Sequence, residues 1–498
     1  MKAENGVRIY QNEKEYLMGK KVYLNYLVAG CLLLAVKIAG AEDRPASIFP
    51  LQVEQDRLVD SAGRQVILRG VNAGGRSKLP PFYPFDPDPD FETALEKYAD
   101  QIQALGFNVV RLLIIYEAGE PVRGQYDEDY LRKYDRMVSA FSRRGIYIII
   151  DSHQDLYSRR LCGDGLPDWA LSEQYRNQPQ HADCKLWSLR YFTNPVATTA
   201  DRFWSNEDGI VDSYAAFFKM LAERYKNEPA VLGFEPVNEP FPGFRGMANY
   251  PEWYQEGLFA LYRKVAEAVQ SVEQRYLIFA DLCPLENQGA WNLNLKKPEL
   301  KNLVLAPHYY DTGTFGIALS PGGDQWLMRR GLKRDRALGD FWNAPVLVTE
   351  YGISPKLKNA PEYIGELYAV FDELNLSGTF WEASMSQTIW NLENTSILAP
   401  DGSVRGKALV LDRPYPRAVG GVIRKFSFDP ETKKLELSWQ ENPEIKLPTE
   451  IYLPGRIYSS RPEISLEPGG DFKYIPDYQG LVIYPIKENS LRYLRVRP

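Results

Sequence analysis

Between residues 58 and 381 the chain repeats one alternation, a short β-branched or apolar run followed by an amphipathic helical stretch, and few folds accept it. The apolar runs are Val66-Ile67-Leu68, Val109-Val110-Arg111-Leu112, residues 147–151, Val231-Leu232-Gly233-Phe234, residues 277–280, residues 303–306, residues 346–349 and Gly378-Thr379-Phe380-Trp381. Helical spacing fills residues 93–105, 128–143, 210–225, 252–272, 325–338 and 362–374; in the first of these Leu95, Tyr98, Ala99 and Ile102 share a face. Strands that are apolar throughout are covered on both faces, as parallel strands joined by crossover helices are. Eight such units predict a (β/α)₈ TIM barrel with long loops. A doubly wound sheet is the alternative, but no glycine-rich phosphate loop follows the first run. Residues 57–66, turning at Ser61-Ala62-Gly63, read as a hairpin that plugs one end of the barrel.

The pattern changes near Val422. Leu435, Leu437 and Trp439 alternate with polar residues, and residues 451–453, 481–484 and 493–496 are short strands between Pro/Gly turns. These predict a small C-terminal antiparallel β-sandwich over 422–498. At the other end, Lys20-Lys21 precede an apolar stretch from Val22 to Val36, and Ala39-Gly40-Ala41 offers a small-residue cleavage site. Residues 1–41 therefore read as a signal peptide with an N-terminal extension, Met18 being an alternative start, and residues 42–421 as the barrel. Leu27-Val28-Ala29-Gly30-Cys31 also matches a lipoprotein box, so free secretion and anchoring at Cys31 both stay open. In an exported protein Cys162 and Cys184, within one Gly/Pro/Asp-rich segment, can close a disulfide. Cys283 is then a buried thiol. The three histidines, His153, His181 and His308, show no metal-ligand spacing with these cysteines, and no metal or cofactor is expected.

A net charge of −6 and a pI near 5.5 exclude nucleic acid as a partner, since phosphates need basic faces. Aromatic residues make up 13%, a surplus that suits the faces of sugars or lipid.

In a barrel of this kind the C-terminal ends of the strands line the mouth where chemistry occurs. Those ends here carry Arg111, His153 with Asp155, Asn238-Glu239, His308 with Tyr310, Glu350 and Trp381. Glu239 ends the fourth strand and Glu350 the seventh, across the mouth from one another. Two carboxyl groups about 5–5.5 Å apart suit double displacement at an anomeric carbon, with retention. This constellation resembles glycoside hydrolase family 5, the cellulase-like retaining hydrolases. The resemblance implies that Glu239 is the acid/base and Glu350 the nucleophile. It also implies that Asn238 bonds the sugar 2-hydroxyl and that Arg111 and Tyr310 orient Glu350. Glu235 has no place in the pattern and reads as a structural carboxylate near the barrel rim.

"DSHQDLYSRRLCGDGLPDWA" (151–170), "NEPFPG" (238–243), "RPYPRAVGG" (413–421) and the terminal β-domain look like the endoglycoceramidase subgroup. That likeness implies cleavage between a glycan and ceramide, with Asp155 and Lys78 on the first sugar. The first loop, "GGRSKLPPFYPFD", departs from the subgroup pattern. Relatives that act on glucosylceramide or steryl glucosides make these, and soluble β-glucans, alternative substrates. Phe241, Phe244, Met247, Tyr250, Trp253 and Tyr254, just after Glu239, read as an apolar lip for the lipid. The loop from Ser158 to Asn194 is expected to wall off one side, unlike an open polysaccharide cleft. A barrel that binds carbohydrate without catalysis is disfavoured because both carboxylates are present. The expected partner is a glycolipid or β-glycoside, with transient contact to a membrane or micelle surface, and the protein is expected to be a monomer.

Overall fold

The structure is a computed structural model that describes residues 48–180, 184–287, 295–310, 325–458 and 461–498. The expected leader and Cys31 lie outside the described residues. Eight parallel strands form the centre: Arg69–Ala73, Val109–Ile115, Tyr147–His153, Val231–Glu235, Leu277–Ala280, Leu303–Leu305 resuming at His308–Tyr309, Leu347–Tyr351 and Ser377–Phe380. Each pairs with the next, the eighth pairs with the first, and the sixth meets the seventh at Leu305–Val346 and His308–Glu350, so the barrel closes. Every residue of the second strand is buried, as a strand covered on both faces must be.

Helices fall where the periodicity places them, and their starts are capped. The helix Phe91–Ala104 begins at Asp90, whose carboxylate accepts from the Thr93 amide at 3.0 Å. Asp127 caps Glu128–Ser142 in the same way. The helix Asn194–Trp204 was not expected. Its Val196, Ala197, Ala200 and Phe203 are buried, but it emerges from a Gly/Pro-rich loop that hides its period.

Inward side chains two residues apart along a strand share a face, and in this barrel they grade from apolar to charged. Val109 leads to Arg111, Tyr147 and Ile149 to Asp151 and His153, Leu277 and Phe279 to Asp281, and Val304 and Ala306 to His308. The floor is sealed by Leu51, Leu58, Val66 and Leu68, which pack against the apolar members of this set. The first barrel strand is therefore Arg69–Ala73, not the run at Val66, which belongs to the plug. Gly70 and Asn72 make "RGVNA" look unlike a strand, yet Gly70 is required: a Cβ there would sit 1.8 Å from the Val109 carbonyl oxygen.

The plug is also part of the C-terminal sandwich. Strands Leu51–Glu54, Arg57–Asp60 and Gln65–Val66 continue through Tyr415–Val419 into Thr449–Tyr452, Gly480–Ile483 and Phe472–Ile475, forming one seven-stranded sheet. Gly421–Asp429, Lys434–Glu441, Leu491–Arg497 and Glu463–Glu467 form the four-stranded sheet opposite. Between them lie Phe426, Leu437, Trp439, Leu481, Ile483 and Val496. Arg64 fastens the plug to the later strands of this sheet, bonding Asp60 at 2.7 Å and Glu450 at 2.5 Å. The sandwich thus reaches back across residue 421 and recruits strands from residues 51–66.

Candidate active site

Arg111 stands at the centre of the barrel, fully buried. Its Nε and Nη2 donate to the two oxygens of Glu235 at 2.9 and 2.8 Å. Nη1 donates to Glu350 at 2.7 Å and to Asn72 at 2.9 Å; Nη2 also donates to Asn238 Oδ1 at 2.8 Å, and Asp151 lies 3.0 Å away. Glu235 is not at the rim but is the deep counter-ion of Arg111, with none of its surface exposed.

The two carboxylates of the opening pattern converge above this arginine. His308 Nδ1 is 3.0 Å from Glu239 and 3.6 Å from Glu350, and one oxygen from each carboxylate lies within 4.8 Å of the other. That spacing suits a retaining pair and leaves no room for the water an inverting pair needs between its carboxyls. Tyr310 donates to Glu350 Oε2 at 2.8 Å. Burial opposes the charge of Glu350, but His308 and Arg111 outweigh it and hold the carboxyl below its ordinary pKa. Burial likewise opposes charge on His308, yet Asp281, Glu350, Glu235 and Glu239 together push its pKa well up. Glu239 has a left-handed backbone, φ +41°, held by its amide bonding Asp281 at 2.8 Å. Such strain in a non-glycine residue persists only where its surroundings fix it.

A second group lines the same cavity, which has a volume of about 650 Å³. Lys78 bonds Asp155 at 2.6 Å, lies 3.5 Å from Glu393, and sits 4.0 Å above the Trp390 ring and 4.6 Å above Trp381. His153 bonds Asp151 at 2.7 Å and stacks on Trp381 at 5.4 Å. Despite its irregular surrounding loop, Lys78 joins the other sequence-identified residues in one mouth. Pro284, Ile353, Leu357 and Leu392 line the cavity as well, with Trp187.

The aromatic lip is corrected. Phe241, Tyr250, Trp253 and Tyr254 are buried, and Trp253 packs edge-on against Trp204 at 5.3 Å. They form the core beneath the helix Asn194–Trp204, while Phe244 is exposed but does not line the cavity.

Three contributors escaped the sequence reading. Asp281 holds the Glu239 backbone, Glu393 neighbours Lys78, and Trp390 floors the lysine. Asp281 could have been found by extending the two-residue period of Leu277 and Phe279 past the fifth strand. Glu393 and Trp390 come from a loop without period. Close triads such as His153, Asp155 and Asp164 also form here, from residues whose spacing shows no metal pattern. In this triad Lys78 meets Asp155, while neither carboxylate oxygen of Asp164 has a hydrogen-bond partner among the described residues.

Residues 59–387 match the family model for cellulase (glycosyl hydrolase family 5), and residues 413–496 match the glycoside hydrolase family 5 C-terminal domain. The chain belongs to glycosyl hydrolase family 5. As a family 5 enzyme it is a retaining glycosidase. It is similar to an endoglycoceramidase of Cyanea nozakii, 27% identical over 442 residues that span 81% of this chain and 84% of that one. Its fold matches endo-glycoceramidase II from Rhodococcus sp. in complex with ganglioside GM3, with TM-score 0.74, 25% identity, and coverage of 89% of this chain and 100% of that one. The lactosyl-enzyme intermediate of the same Rhodococcus protein matches with TM-score 0.73 and 25% identity, covering 89% and 99% of the two chains.

The long loop of this family 5 chain is tied down by a disulfide between Cys162 and Cys184, 22 residues apart. Asn391 bridges both ends, donating to the Cys162 carbonyl and accepting from the Cys184 amide, each at 2.8 Å. In the chain-entropy account, closing such a loop stabilises by about 3 kcal/mol. Cys184→Ser is expected to lower the unfolding free energy by that order, measured by urea denaturation against wild type.

Titration should be visible in stability. Burial pushes the carboxyls of Glu382 and Glu393 up to about 7, and burial, with Glu235 and Glu239 nearby, pushes Asp281 up to about 8. Burial opposes charge on His153, but Asp151 and Asp155 raise its pKa to about 9. All four bind protons more tightly folded than unfolded. Their stabilisation is complete below the unfolded pKa values and is lost as pH rises through the folded ones. The lowered carboxyls of Glu235, Glu350 and Asp155 act in the acid range and leave this window unchanged. The melting temperature is expected to fall between pH 6.5 and 9, and Asp281→Asn to flatten that fall. A melting temperature constant across the window contradicts the assignment.

Proposed function

We propose that the protein hydrolyses the β-glycosidic bond between a glycan and a ceramide. The observation that carries this reading is the mixed lining of one cavity, polar and charged groups together with apolar side chains. Lys78, Asp155, His153, Asn238 and Glu393 offer charged and polar groups to sugar hydroxyls. Pro284, Ile353, Leu357 and Leu392 offer apolar side chains to an aglycone.

In the first step a Glu350 carboxylate oxygen attacks the anomeric carbon. The bond to the aglycone oxygen breaks, and Glu239 gives its proton to that oxygen. In the second step Glu239 takes a proton from water, whose oxygen attacks the same carbon and displaces Glu350. Two inversions give retention. Arg111 and Tyr310 keep Glu350 charged and aimed. His308, between the two carboxylates, is placed to compensate the negative charge that passes from one to the other. The similarity to proteins crystallised with GM3 and as a lactosyl-enzyme supports both the ceramide reading and the covalent step.

We further infer an exported protein, a reading supported by the expected leader and by the Cys162–Cys184 disulfide. The test of substrate is incubation with glucosylceramide, lactosylceramide, GM3, a steryl glucoside and a cello-oligosaccharide, with products identified by mass. Release of an intact oligosaccharide and free ceramide is expected. Turnover of only the cello-oligosaccharide or only the steryl glucoside would overturn the reading.

A further inference from the structure

Beside the mouth, one short segment exposes large apolar side chains. Trp187–Phe192 is a 3₁₀ helix preceded by Leu186. With three residues per turn, side chains at i, i+3 and i+6 stack on one face. Leu189 and Phe192 are such a pair, 62% and 56% exposed, and Leu186, whose left-handed backbone (φ +52°) leads into the helix, is 69% exposed beside them. The inward positions differ: Tyr191 is buried, and Trp187 packs edge-on against Trp390 at 4.9 Å. A short ridge of large apolar side chains facing water is costly and marks an interaction site.

The ridge is continuous with the catalytic cavity. Trp187 and Ser188, between its members, line that cavity, and so does Leu392, itself 61% exposed at the end of the Trp390–Leu392 turn. The ridge is also held in place. Cys184, two residues before Leu186, carries the disulfide and the Asn391 hydrogen bond. Exposed Lys185 precedes the ridge and exposed Arg190 lies within it.

We propose that the ridge of Leu186, Leu189 and Phe192, with Leu392 at the mouth, docks the enzyme on a lipid surface. The proposal rests on the ceramide reading and names how that substrate is reached. A glycolipid in a bilayer keeps its chains among other lipids, with the scissile bond at headgroup depth. An enzyme that cuts there must bring its mouth against the bilayer. Side chains flanking the mouth then enter the boundary between headgroups and acyl chains. Apolar residues beside basic ones suit that depth, where Lys185 and Arg190 meet anionic headgroups.

The test uses the full protein, a double variant, Leu186→Asn/Leu189→Asn, and a triple variant adding Phe192→Asn. The double variant leaves untouched the contact of Phe192 with Phe241. Flotation is measured with vesicles of phosphatidylcholine alone, and of phosphatidylcholine with phosphatidylglycerol, neither containing glycolipid. Cleavage is measured on lactosylceramide in such vesicles and on a soluble aryl β-lactoside. Wild type is expected to bind, more strongly with phosphatidylglycerol, and the double variant to bind at least about tenfold more weakly. Its rate on vesicle lactosylceramide should fall by a similar factor while the aryl lactoside rate stays within twofold.

Unchanged flotation of both variants, or no flotation of wild type, overturns the proposal. Equal losses on both substrates also overturn it, by assigning the ridge to the fold. A wild-type dimer in sedimentation velocity that the double variant abolishes, without vesicle binding, assigns the ridge to a second copy instead. Wild type that floats through the ridge yet cleaves no glycosphingolipid upholds the docking and sinks the ceramide reading alone.

Discussion

Glu239→Gln is expected to lose about 10²–10⁴-fold in kcat on a natural glycolipid, and Glu350→Gln at least as much, but the two should part on an activated aryl glycoside. A good leaving group needs no proton. The Glu239 variant therefore keeps its first step, in which Glu350 attacks the anomeric carbon, and stalls at the second, which needs a base to activate water. Pre-steady-state release of the aryl group should show a burst followed by slow turnover. Azide needs no base, so it should restore turnover and leave a glycosyl azide of retained configuration. The Glu350 variant has no nucleophile for the first step, and neither the burst nor that product should appear. A Glu239 variant without burst or azide rescue would show that the two roles have been assigned wrongly.

Arg111→Met should be the most damaging change that leaves both carboxylates in place. The guanidinium is fully buried and is shared by Glu235, Glu350 and Asp151. Removing one partner from a buried ionic network costs about 3–5 kcal/mol, because the charges left behind have lost their solvation as well as their counter-ion. A second consequence is electrostatic. Arg111 is among the groups that hold Glu350 below its ordinary pKa, so without it that carboxyl should titrate higher. The acid limb of kcat/KM against pH should move upward, while urea denaturation reports the stability loss. Arg111→Lys keeps a charge but cannot present the fork that meets both Glu235 oxygens, and should recover only part of either property. A variant with wild-type stability and an unshifted acid limb would remove Arg111 from this role.

The parts of the site that could be read in advance share one property: they lie on strands whose period is set by the barrel itself. Once Val109 and Tyr147 are known to face inward, Arg111, Asp151 and His153 follow at two-residue steps. Glu239 and Glu350 stand out because charge at the end of an apolar strand is expensive without a reason. Asp281 obeys the same rule and was missed only because "FADLC" resembles an ordinary strand exit. Glu393, Trp390 and the apolar side chains of the cavity come from loops whose path is set by contacts distant in sequence, so no local period announces them. The aromatics after Glu239 misled for the opposite reason. Their density was visible, but the side they face depends on the helix Asn194–Trp204, which packs over them. The slip at the first strand has a similar origin. Val66-Ile67-Leu68 is the more apolar run, and only pairing with Val109 and Gly378 shows that Arg69–Ala73 is the barrel strand.

The plug shared between the barrel and the sandwich imposes an order on the making of this protein. Gln65–Val66 waits for Tyr415–Val419 before its outer edge is paired, about 350 residues later in the chain. At 5–20 residues per second, a ribosome needs roughly 20 to 70 seconds to cover that distance. Throughout that interval the hairpin at the barrel's base presents an open strand edge, the kind of surface that recruits other chains. The mouth of the barrel can be translated in full while the plug at its opposite end still lacks its partner strand, and a segment made late finishes a sheet begun early.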